Sequence, residues 1–117
     1  MSTELVTVPP RATVAEAATV MSAKHVGSAI VLDEGGALTG IFTERDILRA
    51  LGSDFDAAAH TVDEWMSKDP ATIEAGATVT DALNRMLEDG FRHLPVLEDG
   101  ALIGVVSLRD LSRGNAD

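Results

Sequence analysis

The chain has 117 residues, no cysteine, and a formal net charge of −10 that arises from 19 acidic and nine basic side chains. A chain of this length forms one small domain, and without cysteine it has neither a disulfide framework nor a thiol nucleophile. The acidic balance disfavours stable binding to a nucleic-acid backbone, and the uncharged stretches are too short to cross a membrane.

In chain order, the first half of the sequence predicts strand, helix, strand, strand and helix. Thr13, with Glu16 three residues later, is typical of a capping box that starts the first helix. Short apolar runs and a turn, in which glycine supplies a positive φ, then follow. They are a strand at 29–32, a turn at 33–36, a strand at 38–42 and a helix from Thr43 to Leu51.

The second half repeats this order after a connector of small residues. We expect Trp65, the only tryptophan, to begin the second structural unit and to pack the linker down rather than to stack on a base. Thr78 and Asp81 predict another capping box, and Val79, Ala82, Leu83 and Met86 give the helix behind it one apolar face. The later elements are a strand at 94–97, a turn at 98–100, a strand at 102–106 and a helix from Ser107 to about residue 113.

The two halves are copies of one unit, offset by about 65 residues. The segment Val-Leu-Asp-Glu-Gly at 31–35 aligns with Val-Leu-Glu-Asp-Gly at 96–100, and after a one-residue gap residues 38–46 align with 102–110. Such a repeat indicates a pseudo-twofold axis with a cleft where the copies meet.

Both copies end in the pattern Gly-apolar-apolar-Thr/Ser-x-x-Asp. One interpretation is a capping box, because a hydroxyl residue followed by Asp three positions later starts many helices. The other is a nucleotide site: glycine allows close approach to the strand, the helix N-terminus attracts an anion, and the carboxylate can accept a ribose diol. The residues concerned are Gly40, Thr43 and Asp46, and Gly104, Ser107 and Asp110.

This doubled pattern, the segment Gly-Phe-Arg-His-Leu-Pro-Val-Leu at 90–97 and the linker from Val62 to Pro70 together resemble a tandem pair of CBS domains, or Bateman module. The resemblance covers residues 5–112. It implies an α/β (α+β) fold of two β-α-β-β-α repeats with small sheets flanked by helices. It also implies a regulatory, non-enzymatic module that binds AMP, ADP, ATP or S-adenosylmethionine between the repeats. The implied bounds are 5–52 for the first repeat, 53–69 for the linker, 70–113 for the second repeat and 114–117 for the tail.

The resemblance further implies two ligand sites, each combining the motif of one repeat with the strand starts of the other. The first would use Thr43 and Asp46, with Ile41 beneath the base, against Pro70, Ala71, Thr72, Phe91, Arg92 and His93. The second would use Ser107 and Asp110, with Val105 beneath the base, against Val6, Thr7, Val26, Gly27 and Ser28.

The two implied sites differ in charge, because Arg92-His93 stands where the first repeat has Gly27-Ser28. The planar guanidinium suits phosphate, and the imidazole adds a donor whose charge depends on pH. We therefore expect the Asp46 site to bind a charged nucleotide more tightly than the Asp110 site. Arg45 and Arg109, beside the two aspartates, could offset this difference.

Similar modules pair through their helices into a disc of four repeats, and we expect a homodimer of this kind, with an effector protein as a further partner. We expect no required cofactor and no metal site, since the sequence shows no motif for either. The N-terminus lacks a signal-peptide pattern, so we expect a cytoplasmic protein. Two alternatives stay open: a ligand-free interaction protein whose motifs serve only as helix caps, and, least favoured, a nucleic-acid or other polyanion binder.

Overall fold

The computed structural model describes residues 5–53 and 56–112, which form two compact units. The first unit is Val6–Asp69, and the second contains the described residues from Pro70 onward. The mixed architecture of small sheets and helices confirms the fold class predicted from the sequence. Among the described residues, no helix has the length and apolar character needed to span a membrane.

The first unit contains a four-stranded sheet in the order β1-β2-β3-β4. The pair β1-β2 is parallel, whereas the pairs β2-β3 and β3-β4 are antiparallel. The elements are β1 (Thr7–Val8), α1 (Val14–Lys24), β2 (Ser28–Leu32), β3 (Leu38–Thr43), α2 (Glu44–Leu51), a 3-10 helix (Val62–Glu64) and β4 (Ser67–Lys68).

The second unit repeats this arrangement with a three-stranded sheet in its described part, in the order β5-β6-β7. The first pair is parallel and the second antiparallel, as in β1-β2-β3. The elements are β5 (Ile73–Glu74), α3 (Val79–Asp89), β6 (His93–Glu98), β7 (Ala101–Ser107) and α4 (Leu108–Ser112).

The predicted capping boxes start α1 and α3. The backbone nitrogen of Thr13 donates to Glu16 Oε1 at 2.8 Å, and the Glu16 nitrogen donates to Thr13 Oγ1 at 3.0 Å. Thr78 and Asp81 exchange the same two bonds, both at 3.1 Å. Each box satisfies donors that the helix itself leaves unpaired, so both sequence predictions are confirmed.

The hairpin turns lie where the sequence places them. Gly36 and Gly100 both have φ of +82°, which confirms that glycine supplies the left-handed conformation there. Asp99 shares this conformation, with φ of +52°, which aspartate tolerates better than most side chains. The strand register shifts at equivalent places in the two units, Val31/Leu32 and Val96/Leu97, so the extra residue of the first hairpin is confined to its turn.

Each unit has its own apolar core. The expected apolar face of α3 begins one turn later than predicted: Ala82 and Met86 are buried, but Val79, the first residue of the helix, is 39% exposed. The first core consists of Val6, Val8, Val14, Ala17, Met21, Ala29, Val31, Phe42 and Val62. The second consists of Ala82, Met86, Leu94, Val96, Val106 and Leu111.

The segment around Trp65 packs against the first unit, so the prediction that Trp65 begins the second unit is wrong. Val62 is fully buried in the first core, and its nitrogen donates to the Ala12 carbonyl at 2.8 Å. Trp65 packs against the same core, and the Arg49 guanidinium lies 5.7 Å from the centre of its ring. This attachment depends on contacts distant in sequence, which a local pattern does not reveal.

The close approach expected at Gly40 is made by the chain itself. A Cβ added at Gly40 would lie 2.5 Å from Met66 Sδ and 2.8 Å from the carbonyl oxygen of Ser67, because β4 pairs with β3 at this point. Gly40 is therefore required for packing of β4, and no ligand needs to be invoked for it.

Candidate functional site

The most distinctive polar group of the first unit is Asp46, in the first turn of α2. Its side chain is buried, with the residue only 4% exposed. One carboxylate oxygen, Oδ2, accepts from the backbone nitrogen of Thr43 at 2.9 Å and from Thr43 Oγ1 at 3.2 Å. The Asp46 nitrogen is 3.4 Å from the same hydroxyl, which closes a capping box. The cap interpretation of the motif is thus confirmed for the first repeat.

A residue not considered in the sequence analysis, Arg49, completes this arrangement. Its Nη1 donates to Asp46 Oδ1 at 2.9 Å, while the Arg49 side chain stays 59% exposed and covers Trp65. The available signal was an Asp-x-x-Arg spacing, which the sequence repeats as Asp110 and Arg113. Arg113 lies outside the described residues.

The hydrogen bonds of Asp46 leave room for a further donor. A carboxylate offers about four acceptor positions, and the cap and Arg49 use three of them. The remaining position is on Oδ1, the oxygen that also accepts from Arg49. A further donor at that position would leave the cap that starts α2 intact.

The second repeat shows the same cap with a less buried aspartate. The Ser107 nitrogen donates to Asp110 Oδ2 at 3.0 Å, and the Asp110 nitrogen donates to Ser107 Oγ at 3.1 Å. Asp110 is half-buried. Both copies of the motif therefore present a carboxylate that is held in place by its own helix start.

Each unit places its own strand start beside its own motif. Ser28, which is buried, pairs with Thr43 between β2 and β3, and the Glu44 nitrogen donates to the Gly27 carbonyl at 3.0 Å. In the second unit, His93 pairs with Ser107 and the Leu108 nitrogen donates to the Arg92 carbonyl at 2.8 Å. The sequence analysis expected each motif to face a strand start of the other repeat. Those strand starts belong to the other compact unit.

The remaining predicted residues range from buried to exposed. In the first unit Val6 and Ile41 are buried, Val26 is half-buried against the core, and Thr7 is exposed. In the second unit Arg92 is exposed, and the half-buried members are Pro70, Ala71, Thr72, Phe91, His93 and Val105. The two arginines next to the motif aspartates, Arg45 and Arg109, are both exposed.

An open groove of about 520 Å³ runs between β5 and α3 of the second unit. The sequence analysis predicted no site there, although Thr72 of the first implied site lies at its edge. The other residues that line it are Ile73, Glu74, Ala77, Asp81, Asn84, Arg85 and Glu88. Within the described ranges, no three His, Cys, Asp or Glu side chains are grouped so as to hold a metal ion.

Comparison with known proteins identifies the repeated unit. The family model of the CBS domain matches this chain twice, at residues 1–53 and 62–116. An uncharacterised 17.7 kDa protein of Acidianus ambivalens is 42% identical over 99% of this chain and 70% of its own length. The uncharacterised protein MJ1225 of Methanocaldococcus jannaschii is 30% identical over 94% of this chain, which spans only 39% of that protein.

Solved structures with the same fold cover nearly the whole chain. The CBS-domain containing protein ATU1752 from Agrobacterium tumefaciens has a TM-score of 0.87 and 32% identity, over 97% of this chain and 90% of its own. The CBS domain pair of protein MJ0100, in complex with 5′-methylthioadenosine and S-adenosyl-L-methionine, has a TM-score of 0.84 and 26% identity, over 96% and 92%. CBSX2 in complex with AMP has a TM-score of 0.74 and 28% identity, over 94% and 86%.

Proposed function

Because this chain belongs to the CBS domain family and carries two such domains in tandem, we propose that it is a regulatory module that senses an adenosyl ligand. The ligand would be AMP, ADP, ATP or S-adenosylmethionine, and occupancy would be passed to an effector protein. The role is regulatory rather than catalytic. Two structural relatives support the ligand class, since one is in complex with AMP and the other with S-adenosyl-L-methionine.

The observation that carries the proposal is the buried Asp46 carboxylate. Burial of a charged group is costly unless the group is paired and hydrogen-bonded, and a helix cap alone needs no buried aspartate. The capping boxes of α1 and α3 are built from exposed side chains, Glu16 and Asp81. The motif of the first repeat therefore has a feature beyond capping: a fixed carboxylate with one acceptor position left for a ribose hydroxyl.

We propose that Asp46 and Thr43 hold the sugar and phosphate at the first site, and that Asp110 and Ser107 do so at the second. The walls follow the family pattern given above, with Arg92 and the half-buried His93 at the first site. The exposed Arg92 guanidinium is available to a phosphate group, which supports tighter nucleotide binding there.

Titration calorimetry of the purified chain with the four ligands tests this proposal, after a check that no nucleotide has co-purified. Asp46→Asn keeps the size of the side chain but removes its charge, and a hydrogen bond to a charged group contributes about 1.5–3 kcal/mol. We expect the tightest binding event to weaken by about ten- to a hundredfold. Asp81→Asn is the matched control, because Asp81 makes the same cap on α3 and lies in neither proposed site. Unchanged affinity in Asp46→Asn would contradict the assignment.

A second candidate is a ligand-free interaction module. It is favoured by the caps themselves, since both motif aspartates are already hydrogen-bonded within the protein. In that case none of the four ligands binds, and Asp46→Asn changes stability only.

We further propose that the chain forms a homodimer through its helices. Leu48 and Leu51 on α2 are 71% and 58% exposed, and Leu87 on α3 is 80% exposed. Leu48 and Leu51 are three residues apart on one helix, so they lie on the same face, and a contiguous exposed apolar surface is typical of a protein–protein contact. Sedimentation of the wild type and of Leu48→Asp tests this: we expect a dimer and a monomer, respectively, and two monomers would refute the proposal.

A further inference from the structure

In the first unit, the start of α1 is covered by the chain segment 57–63. The backbone nitrogens of Val14 and Ala15 donate to carbonyl oxygens of this segment, both at 3.0 Å. Donors in the first turn of a helix have no partner within the helix, so the segment satisfies them. Val62 of the segment is fully buried in the same core as Val14, which is only 1% exposed. The segment 57–63 therefore both completes the hydrogen bonding of this helix start and covers its first apolar side chain.

The second unit has the same helix start without this cover. Val79 and Thr80 are the counterparts of Val14 and Ala15 in the repeat. Among the described residues, no segment outside α3 accepts a hydrogen bond from their backbone nitrogens. Val79 is 39% exposed, although it is the same residue type as the buried Val14. The start of α3 is thus an uncovered copy of a surface that the chain covers on α1.

The groove between β5 and α3 adjoins this helix start. Ala77, which lines the groove, is the counterpart of Ala12, whose carbonyl oxygen accepts from the Val62 nitrogen at 2.8 Å in the first unit. The charged side chains that line the groove are Glu74, Asp81, Arg85 and Glu88. Three of these four are acidic, so the surface favours an occupant with positive charge.

We propose that the start of α3 and the adjoining groove form a docking surface for an extended, basic segment of a partner protein. The partner would supply backbone carbonyls to the nitrogens of Val79 and Thr80 and a β-branched side chain to cover Val79, as the segment 57–63 does on α1. Thr61 shows the backbone that fits, since it is extended, with φ of −102° and ψ of 158°, and pairs antiparallel with Thr13. Docking here does not depend on binding of an adenosyl ligand.

Charge disfavours a second copy of this chain as the occupant. The stretch 56–65 contains Asp56, Asp63 and Glu64 but no lysine or arginine. It would therefore bring like charge to Glu74 and Asp81, which are both exposed. The same backbone with basic side chains meets opposite charge instead, and this is why the proposed partner is basic.

Amide chemical shifts of the isotope-labelled full chain, recorded during titration with a synthetic peptide, test the proposal. The probe copies residues 56–65 with Asp56→Lys, Asp63→Lys and Glu64→Lys. We expect the Val79 and Thr80 amide signals to shift saturably, with a dissociation constant of about 1 mM, since a short flexible peptide loses much of its binding energy to ordering. The peptide without these substitutions should bind at least about tenfold more weakly at low salt, and the difference should shrink at high salt.

A matched pair of valine variants locates the contact. Val79→Lys places a positive charge in the proposed contact and should weaken binding of the basic peptide by at least about tenfold. Val20→Lys is the control, because Val20 lies on α1, is 40% exposed and undergoes the same change in charge. Its peptide affinity should change by less than about twofold.

Each outcome decides the proposal. Saturable shifts at Val79 and Thr80 that are lost in Val79→Lys and kept in Val20→Lys support it. The absence of saturable shifts at these two amides, equal binding of the two peptides, or equal effects of the two variants would overturn it. Shifts at the same amides that depend on protein concentration without any peptide would assign the surface to a second copy and overturn the choice of a basic partner.

Discussion

Replacing Asp46 with alanine should destabilise the protein more than removal of any ordinary helix cap. Asp46→Ala removes the acceptor for the Thr43 nitrogen and hydroxyl and leaves Arg49 without its carboxylate partner. The site is buried, so water cannot easily take over these bonds.

The magnitude can be assembled from the contacts. Loss of the carboxylate half of the capping box costs about 1 kcal/mol, while the Thr43 hydroxyl still accepts from the backbone nitrogen of residue 46. The partly buried Thr43 donors, left unsatisfied, add about 1 kcal/mol. The ion pair adds at most about 0.5 kcal/mol, since the Arg49 side chain is 59% exposed. We expect a total of about 2 kcal/mol, against about 1 kcal/mol for Asp81→Ala, which removes an exposed cap of the same type.

Urea denaturation followed by circular dichroism measures both variants. With a denaturant slope of about 1.5 kcal/mol/M, the midpoint should fall by about 1.3 M for Asp46→Ala and about 0.7 M for Asp81→Ala. Equal losses for the two variants would refute the reasoning, because burial and the Arg49 contact would then contribute nothing. A larger loss for Asp81→Ala would refute it as well.

Three further predictions concern the fold. Gly40→Ala should cost about 1–3 kcal/mol, since its Cβ would overlap β4, whereas Gly76→Ala, which meets nothing within 4 Å, should be nearly neutral in the same urea titration. Hydrogen bonds from Thr13 lower the pKa of Glu16, and hydrogen bonds from His60 and then Thr61 lower the pKa of Glu64. The stability that these groups contribute is present above the usual glutamate pKa and is lost as the pH falls through the lowered values, so Glu16→Gln and Glu64→Gln should flatten the acid side of the melting temperature against pH. Phe42→Ala should cost about 3–5 kcal/mol because Phe42 is fully buried, and a loss below 1 kcal/mol would contradict its place in the core.

The sequence predicts elements that depend on local chemistry and misses those that depend on distant contacts. The capping boxes at Thr13 and Thr78 are complete within four residues, so their pattern is sufficient. β4 has only two residues, and nothing in Ser67-Lys68 indicates a strand until β3 lies beside it. The sequence predicts a close approach at Gly40, but it does not reveal that the approaching group is the β4 segment of the same chain.

The candidate site was predicted in part for the same reason. The motif spacing correctly places Thr43 and Asp46 together at a helix start. The burial of Asp46 is a tertiary feature, and no spacing in the sequence encodes it. Arg49 is predictable only in part. Its spacing from Asp46 is visible in the sequence, but its contact with Trp65 is not.

The position of Trp65 gives the two halves of the molecule different optical properties. It is the only tryptophan and the chain has no tyrosine, so intrinsic fluorescence arises almost entirely from one half-buried side chain packed against the core of the first unit. Far-ultraviolet circular dichroism, in contrast, records the helices of both units. Coincident melting curves from the two signals would mean that the duplicated halves unfold as one cooperative block, and separated curves would mean that each half melts on its own.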